Sequence, residues 1–333
     1  MSDWLDLLDP EARDRLTDAD VPEWTEPMLA TLVDEPFSDP GWIFERKLDG
    51  ERCLAFRQGD TLRLRSRNRR ELDGVYPELV DPLLGMKPSE YVVDGEVVAF
   101  EGSVTSFQRL QQRIGITDPG EARESGVAVY YYLFDLLHLN GKDTTGLTQR
   151  DRKRLLRRAF ELDDPIRYTA HRNESGVKYH EEACASGWEG VIAKDASATY
   201  VHSRSKKWQK FKCVMRQEFV IGGYTDPQGE RVGFGALLIG YHDDGDLVYA
   251  GKVGTGFDDE TLDSMSERMS EIERDDPPFD RGDLPRDAHW IEPELVGEVG
   301  FTEWTEAGQL RHPRFLGLRR DKAPPDVVRE ESR

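Results

Sequence analysis

The chain has 333 residues, room for two domains of ordinary size, and 37% of them are hydrophobic, enough to give each domain a core. No apolar run reaches membrane-spanning length, and the acidic start Met1-Ser2-Asp3-Trp4 lacks a basic, apolar leader pattern. Three scattered cysteines (Cys53, Cys184, Cys213) without a C-x-x-C argue against a disulfide framework or a zinc ribbon, so the expectation is a protein of the reducing cytoplasm with no membrane partner. The net charge of −20 is unevenly spread. Arg57, Arg63, Arg65, Arg67, Arg69 and Arg70 are opposed locally only by Asp60, and Arg204, Lys206, Lys207, Lys210, Lys212 and Arg216 by no acid. Two such blocks point to phosphate contact, with a solvated charged face as the alternative for each. The acidic excess suits a salt-rich cytoplasm.

Residues 1–26 form an acidic, turn-rich extension with a short helix over 11–16, and the compact part begins at Pro27. Trp42 and Phe44 alternate along a half-buried strand that runs out into Lys47-Leu48-Asp49-Gly50-Glu51-Arg52. Asp49-Gly50 is expected to make the turn, Gly through positive φ and Asp by bonding its own backbone. A lysine at the mouth of a sheet, near an aspartate and an arginine, is a candidate nucleophile. Its amine must be neutral to attack, and desolvation beside another cation is expected to depress its pKa. A surface hairpin with solvated charges is the alternative.

Strands over 53–57 and 62–66 join through Gln58-Gly59-Asp60, and Ser66-Arg67-Asn68 closes the second with polar groups. A helix is expected over 76–84, and Tyr91 begins a strand through Asp94-Gly95-Glu96 to Phe100. Glu96 in so apolar a strand needs a reason, since burying an unpaired carboxylate is costly; a salt-bridged edge residue is the alternative. After a helix over 106–114, the aromatic run over 127–137 is core strand, and periodicity places Phe134 in that core. A basic amphipathic helix spans 147–161, its arginines read as a solvated face, and another helix spans 174–186. Glu189 and Lys194 bracket a short buried strand, as if facing one phosphate–metal cluster from its two ends. Arg204 precedes a strand on which Trp208, Lys210 and Lys212 share one face and Phe211 the other. Two lysines on one side suit a triphosphate.

A break is expected over 215–218. Beyond it come short strands over 219–221, 235–241, 247–253, 295–301 and 310–318, with a helix over 261–272. Five strands with an interposed helix suit an oligonucleotide-binding (OB) barrel. The chain then carries Arg319-Arg320-Asp321-Lys322. No G-x-x-x-x-G-K-[ST] is present, which disfavours an ordinary ATPase.

The K-x-D-G-x-R at Lys47 resembles the motif that carries the covalent nucleotide in nucleotidyltransferases: ATP-dependent DNA ligases, RNA ligases and mRNA-capping enzymes. Ser66-Arg67, Glu96, Phe134-Asp135-Leu136-Leu137, Glu189-Gly190-Val191-Ile192-Ala193-Lys194 and the R-x-D-K at Arg319 follow in order. With Pro313-Arg314-Phe315 before the last motif, the chain most resembles the ligase module of bacterial non-homologous end-joining proteins. The resemblance implies an α+β fold: a nucleotidyltransferase (adenylation) domain of mainly antiparallel sheets with flanking helices over 27–216, then an OB barrel over 217–333. It implies that Lys47 attacks the α-phosphate of ATP, that Glu45 and Phe134 select adenine, and that Arg52 and Arg67 orient AMP and the nick phosphate. Lys194, Arg204, Lys210 and Lys212 would bind the nucleotide, Glu96 and Glu189 a divalent cation (magnesium or manganese), and Arg319 and Lys322 the departing pyrophosphate. The implied partners are nicked or broken duplex DNA, with Ku and end-processing repair proteins, and the implied state is a monomer. An RNA ligase or capping-type enzyme, and a non-enzymatic OB-fold binding module, stay open beside this reading. An NAD-dependent ligase is disfavoured by the absence of its zinc-binding cysteines and N-terminal nicotinamide-recognition region.

Overall fold

The computed structural model describes residues 4–213, 215–227, 232–305 and 307–330; the acidic start at Met1-Ser2-Asp3 lies outside the described residues. Contact within the chain divides it into two units, the division falling after Cys213. Among the described residues no helix is long and apolar enough to cross a membrane.

The first unit carries strands β1 (Leu29–Leu32), β2 (Trp42–Lys47), β3 (Glu51–Gln58), β4 (Thr61–Ser66), β5 (Glu90–Glu101), β6 (Val129–Leu139), β7 (Ile166–Tyr168), β8 (His171–Asn173), β9 (Gly190–Asp195) and β10 (Arg204–Lys212), with helices α1 (Gln149–Ala159) and α2 (Gly176–Ala185). One sheet, eight-stranded with its short members, contains the run β6-β5-β3-β4, with β4 at its edge. The other is five-stranded in the order β8-β2-β9-β10-β1. The hairpin β3–β4 holds the register Cys53↔Ser66 to Gln58↔Thr61, and Gly59 supplies the turn's positive φ of 60°.

Three apolar layers follow from strand alternation. Cys53, Ala55, Val93, Val97 and Leu133 face one core with Leu155 and Leu156 of α1. Leu54, Phe56, Val92 and Phe134 face a second core against Met28, Tyr200 and Trp208 of the other sheet's side. Phe44, Val191, Ala193 and Phe211 face a third, covered by Tyr179 and Ala183 of α2. Residues 4–26 are built into this unit: the Pro10–Asp14 helix is capped by Asp9, Leu8 and Ala12 enter the first core, and Thr17–Asp18 pairs with Lys142–Asp143.

Two expectations change here. The basic helix is not solvated on all its charges, because Arg152 and Lys153 are buried with Leu155 and Leu156. Arg152 pairs with the wholly buried Asp135, at 2.7 Å from Oδ1. Cys184 and Cys213 form a disulfide, with Cα atoms 5.2 Å apart, leaving Cys53 as the buried free thiol. Tertiary packing joins cysteines 29 residues apart, which spacing alone does not reveal.

The second unit is an antiparallel OB-like barrel of β11 (Met215–Tyr224), β12 (Leu237–Asp243), β13 (Asp246–Val253), β14 (His289–Phe301) and β15 (Arg314–Leu318), with α3 (Asp259–Ser270). The strand order is β13-β12-β11-β14, with β15 also on β14. Met215–Glu218, expected as a break, pairs with β14 from Phe301 to Glu298 and so opens β11. Asp258 caps α3 by accepting from the Thr261 N–H, and Leu262, Met265 and Met269 turn its apolar side into the core.

Candidate active site

Alternation also decides which polar side chains meet. Phe44 on β2, Val191 and Ala193 on β9 and Phe211 on β10 face α2. Glu45, Lys47, Lys194, Lys210 and Lys212 therefore share the opposite side with Trp208, in the layer between the sheets. From the other sheet Arg52, Asp94 and Glu96 lie in step with Leu54, Phe56 and Val92, which face the same layer. Antiparallel register sets Gly190 opposite Lys47 and Ile192 opposite Glu45, so Glu189 arrives at the lysine and Lys194 at the glutamate.

The Lys47 ammonium donates to Glu189 Oε2 at 2.5 Å, with side chains 19% and 8% exposed. Burial works to lower the Lys47 pKa, but Glu189, with Glu96 and Asp49, outweighs it and holds the amine above the ordinary lysine range. The expected depression is thus reversed: the charge nearest Lys47 is a carboxylate, not a cation. Glu96 behaves oppositely. Burial pushes its carboxyl up to about 8, against the pull of Arg52 and Lys47, while neighbouring Glu189 and Asp94 add to the rise.

The turn after Lys47 is made differently from expectation. The Asp49 N–H donates to the Thr105 hydroxyl at 3.2 Å, and its carboxylate accepts the Phe107 N–H at 3.3 Å. Gly50 does not have positive φ; it is needed because a Cβ there would lie 2.1 Å from the Val97 carbonyl oxygen. Arg52 makes a fork to Asp94, Nε and Nη2 each 2.5 Å from an oxygen, and Tyr200 donates to the same carboxylate at 2.8 Å. The guanidinium carbon sits 4.6 Å from the Phe134 ring centroid.

Two residues before Lys47 on β2, Glu45 is buried between two ammonium groups, Lys153 at 2.6 Å and Lys194 at 2.7 Å. Burial raises the Glu45 carboxyl, yet the two lysines more than offset it and leave it below the usual carboxylate value. Lys194 is pushed down, first by burial and then by Lys153. Its Nζ also stands 4.4 Å from the Phe134 centroid and 4.1 Å from that of Trp208.

Arg67 is exposed in the turn after β4, and Arg204 is exposed at the start of β10, donating to the Ala30 carbonyl at 2.5 Å. Arg319 and Lys322 belong to the second unit. There Arg319 pairs with Asp321 at 2.6 Å, Glu218 at 3.3 Å and Glu298 at 3.5 Å, and Lys322 lies 3.5 Å from Glu218. These pairs pin the run to β11 and β14. The first basic block is likewise engaged internally: buried Arg57 donates to the Met86 and Pro88 carbonyls, Arg65 and Arg70 pair with Glu71 and Glu51, and Arg69 pairs with Glu26.

Residues missed by sequence reasoning include Asp94, Asp135, Arg152 and Lys153. A signal existed for the last two: Gln149, Arg152, Lys153 and Leu156 recur at spacings of three, four and seven, the buried stripe of a helix.

Residues 27–212 match the family described as ATP dependent DNA ligase domain, and 230–322 the ATP dependent DNA ligase C terminal region. The chain is 35% identical over 319 residues to the multifunctional non-homologous end joining protein LigD of Pseudomonas aeruginosa, covering 93% of this chain and 37% of that protein. It is 37% identical over 297 residues to the corresponding DNA repair protein of Mycobacterium tuberculosis, covering 87% and 37%. The chain thus spans little more than a third of these relatives' length. A solved structure of mycobacterial DNA ligase D complexed with ATP and MES matches with a TM-score of 0.66 at 34% identity, over 92% of this chain and 98% of that one.

Proposed function

The chain belongs to the ATP-dependent DNA ligase family, and from that premise we propose that it seals nicks and breaks in duplex DNA through an AMP carried on Lys47. The observation that carries this reading is the contact of Lys47 with Glu189, with Glu96 among the charges acting on the same amine. The Lys47 proton leaves toward Glu189 Oε2, its nearest acceptor, and the freed lone pair attacks the α-phosphorus of ATP. A nitrogen–phosphorus bond forms, the bond to the bridging oxygen breaks, and pyrophosphate leaves. The 5′-phosphate of a nick then takes the AMP, and a 3′-hydroxyl displaces it.

Within this reading Phe134 stacks on adenine and Glu45 selects its edge, while Arg52, held by Asp94, and Arg67 orient AMP and the nick phosphate. Lys194, Arg204, Lys210 and Lys212 bind the nucleotide's charge. Arg319 and Lys322 serve only the step that releases pyrophosphate. Glu96 and Glu189, carboxylates near enough to repel, form an all-oxygen donor set suited to a hard cation, magnesium or manganese. Such an ion supplies neutralisation of phosphate charge.

We assign adenylation to the first unit and DNA grip to the barrel that opens with β11. Likeness to end-joining proteins supports a role in break repair, and the reading carries with it a cytoplasmic monomer with Ku-type and end-processing proteins as partners. The test is labelling with α-labelled ATP or GTP and magnesium, followed by nicked DNA. ATP labels the protein, GTP labels it poorly, and nicked DNA discharges the label as strands join. Equal labelling by GTP, or a label that nicked DNA leaves in place, overturns the reading in favour of a capping-type enzyme or RNA ligase.

A further inference from the structure

Behind the β9–β10 pair, on the side facing α2, three soft ligands converge. His180 and Cys184 lie one turn apart on α2, and Cys213 immediately follows β10. His180 Nε2 is 3.5 Å from Cys184 Sγ and 4.0 Å from Cys213 Sγ. One ligand atom from each residue falls within 4.8 Å of the others, and all three residues are half-buried. Tetrahedral zinc with Zn–S of about 2.3 Å and Zn–N of about 2.0–2.1 Å needs ligand atoms about 3.4–3.8 Å apart. The imidazole already meets that spacing toward one sulfur and nearly meets it toward the other. Only the bond between the two sulfurs stands in the way.

We propose that His180, Cys184 and Cys213 form a redox-gated binding site for a thiophilic divalent cation of the zinc class. In the oxidised state the sulfurs hold each other. A dithiol reductant delivers two electrons and two protons to the Cys184–Cys213 bond and is itself oxidised to a disulfide. The cation then takes both sulfurs as thiolates, releasing their two protons, and accepts the imidazole lone pair; solvent fills the fourth position. Thiolate and imidazole ligands favour zinc-like ions over magnesium, whereas Glu96 and Glu189 offer only hard oxygens. The two sites therefore sort metals by chemistry. The Cys213 N–H donates to the Glu189 carbonyl at 3.0 Å, so the thiol site adjoins the peptide that carries Glu189. The inference does not depend on the ligase reading.

The test is zinc titration of the whole chain against a chromophoric chelator, after reduction and desalting without oxygen, and again after oxidation with diamide. Reduced protein binds one equivalent of zinc, and oxidised protein binds less than a tenth of that. Cys213→Ser weakens binding by at least a hundredfold. His180→Ala, which keeps the disulfide and so guards against misfolding of the cysteine variant, weakens it about tenfold or more. Cys213→His, which cannot form the disulfide, binds zinc without prior reduction. Equal zinc binding by oxidised and reduced protein, or reduced protein binding no better than the Cys184→Ser/Cys213→Ser double variant, overturns the proposal.

Discussion

The strand β2 carries, two residues apart, two lysine–carboxylate pairs of the same chemistry and opposite behaviour. At one end Lys47 meets Glu189, partly open to solvent, and its amine is held above the ordinary lysine value. Two residues earlier Glu45 meets Lys194 in full burial, but Lys153 shares the carboxylate and helps push Lys194 down. The count of opposing charges sets the difference. One lysine faces several carboxylates, while the other competes with a second ammonium. A depressed pKa alone would thus select Lys194 as nucleophile, and it would select a residue packed against Phe134 and Trp208. The pair at Lys47 is the more open of the two, and the pair at Glu45 is wholly buried.

The comparison breaks most sharply at Lys47. Lys47→Ala should fold normally yet form at least about a thousandfold less nucleotide adduct at any pH, and Lys47→Arg should fail as well because guanidinium stays protonated. Retention of adduct by either variant would remove the distinction between the two pairs.

The buried pair should instead respond in stability. Lys153→Met leaves Glu45 with one cation and the Thr169 carbonyl without the donor now 2.6 Å away. Breaking such a buried network costs about 2–4 kcal/mol, and the melting temperature should drop by about 5–10 °C. An unchanged melting temperature would mean that Lys194 alone suffices.

Much of this site was legible from the sequence because strand alternation and motif spacing are local properties. Lys47, Glu96, Glu189 and the shared face of Lys210 and Lys212 needed no knowledge of distant packing. The chain's long-range pairings were not legible. Arg63 donates to the carbonyls of Pro22 and Glu23, and Arg69 pairs with Glu26, so a run that looked unopposed is answered from about forty residues upstream. The same holds for Lys153 with Glu45 and for the Cys184–Cys213 bond. The direction of the Lys47 shift was misjudged for this reason: its dominant partner lies 142 residues away.

A smaller effect sharpens the account of the raised amine. Removing the carboxylate charge with Glu189→Gln lets burial depress the Lys47 pKa, so the acidic limb of the adenylation pH–rate profile should move to lower pH while the maximal rate falls. A limb that stays in place would separate Glu189 from control of that proton.

The last effect is confined to one range of pH and concerns Glu96. Burial pushes its carboxyl up to about 8 in the folded chain, against about 4.3 when unfolded, so no charge has to be buried at low pH. As pH rises from about 4.3 toward 8, the unfolded chain releases that proton while the folded chain still holds it, and stability is lost across that window. In nucleotide-free, metal-free protein, Glu96→Gln should match the wild type near pH 4 and melt higher at pH 8, by a margin that grows through the window. A difference that does not grow with pH would contradict the shift.

The most direct measurement is peptide mapping of the nucleotide adduct formed by the wild-type chain with ATP, under conditions that preserve the acid-labile nitrogen–phosphorus bond. The account places AMP on Lys47, the lysine with the raised pKa. AMP found on Lys194, the lysine whose pKa is lowered, or on Lys153 would contradict it.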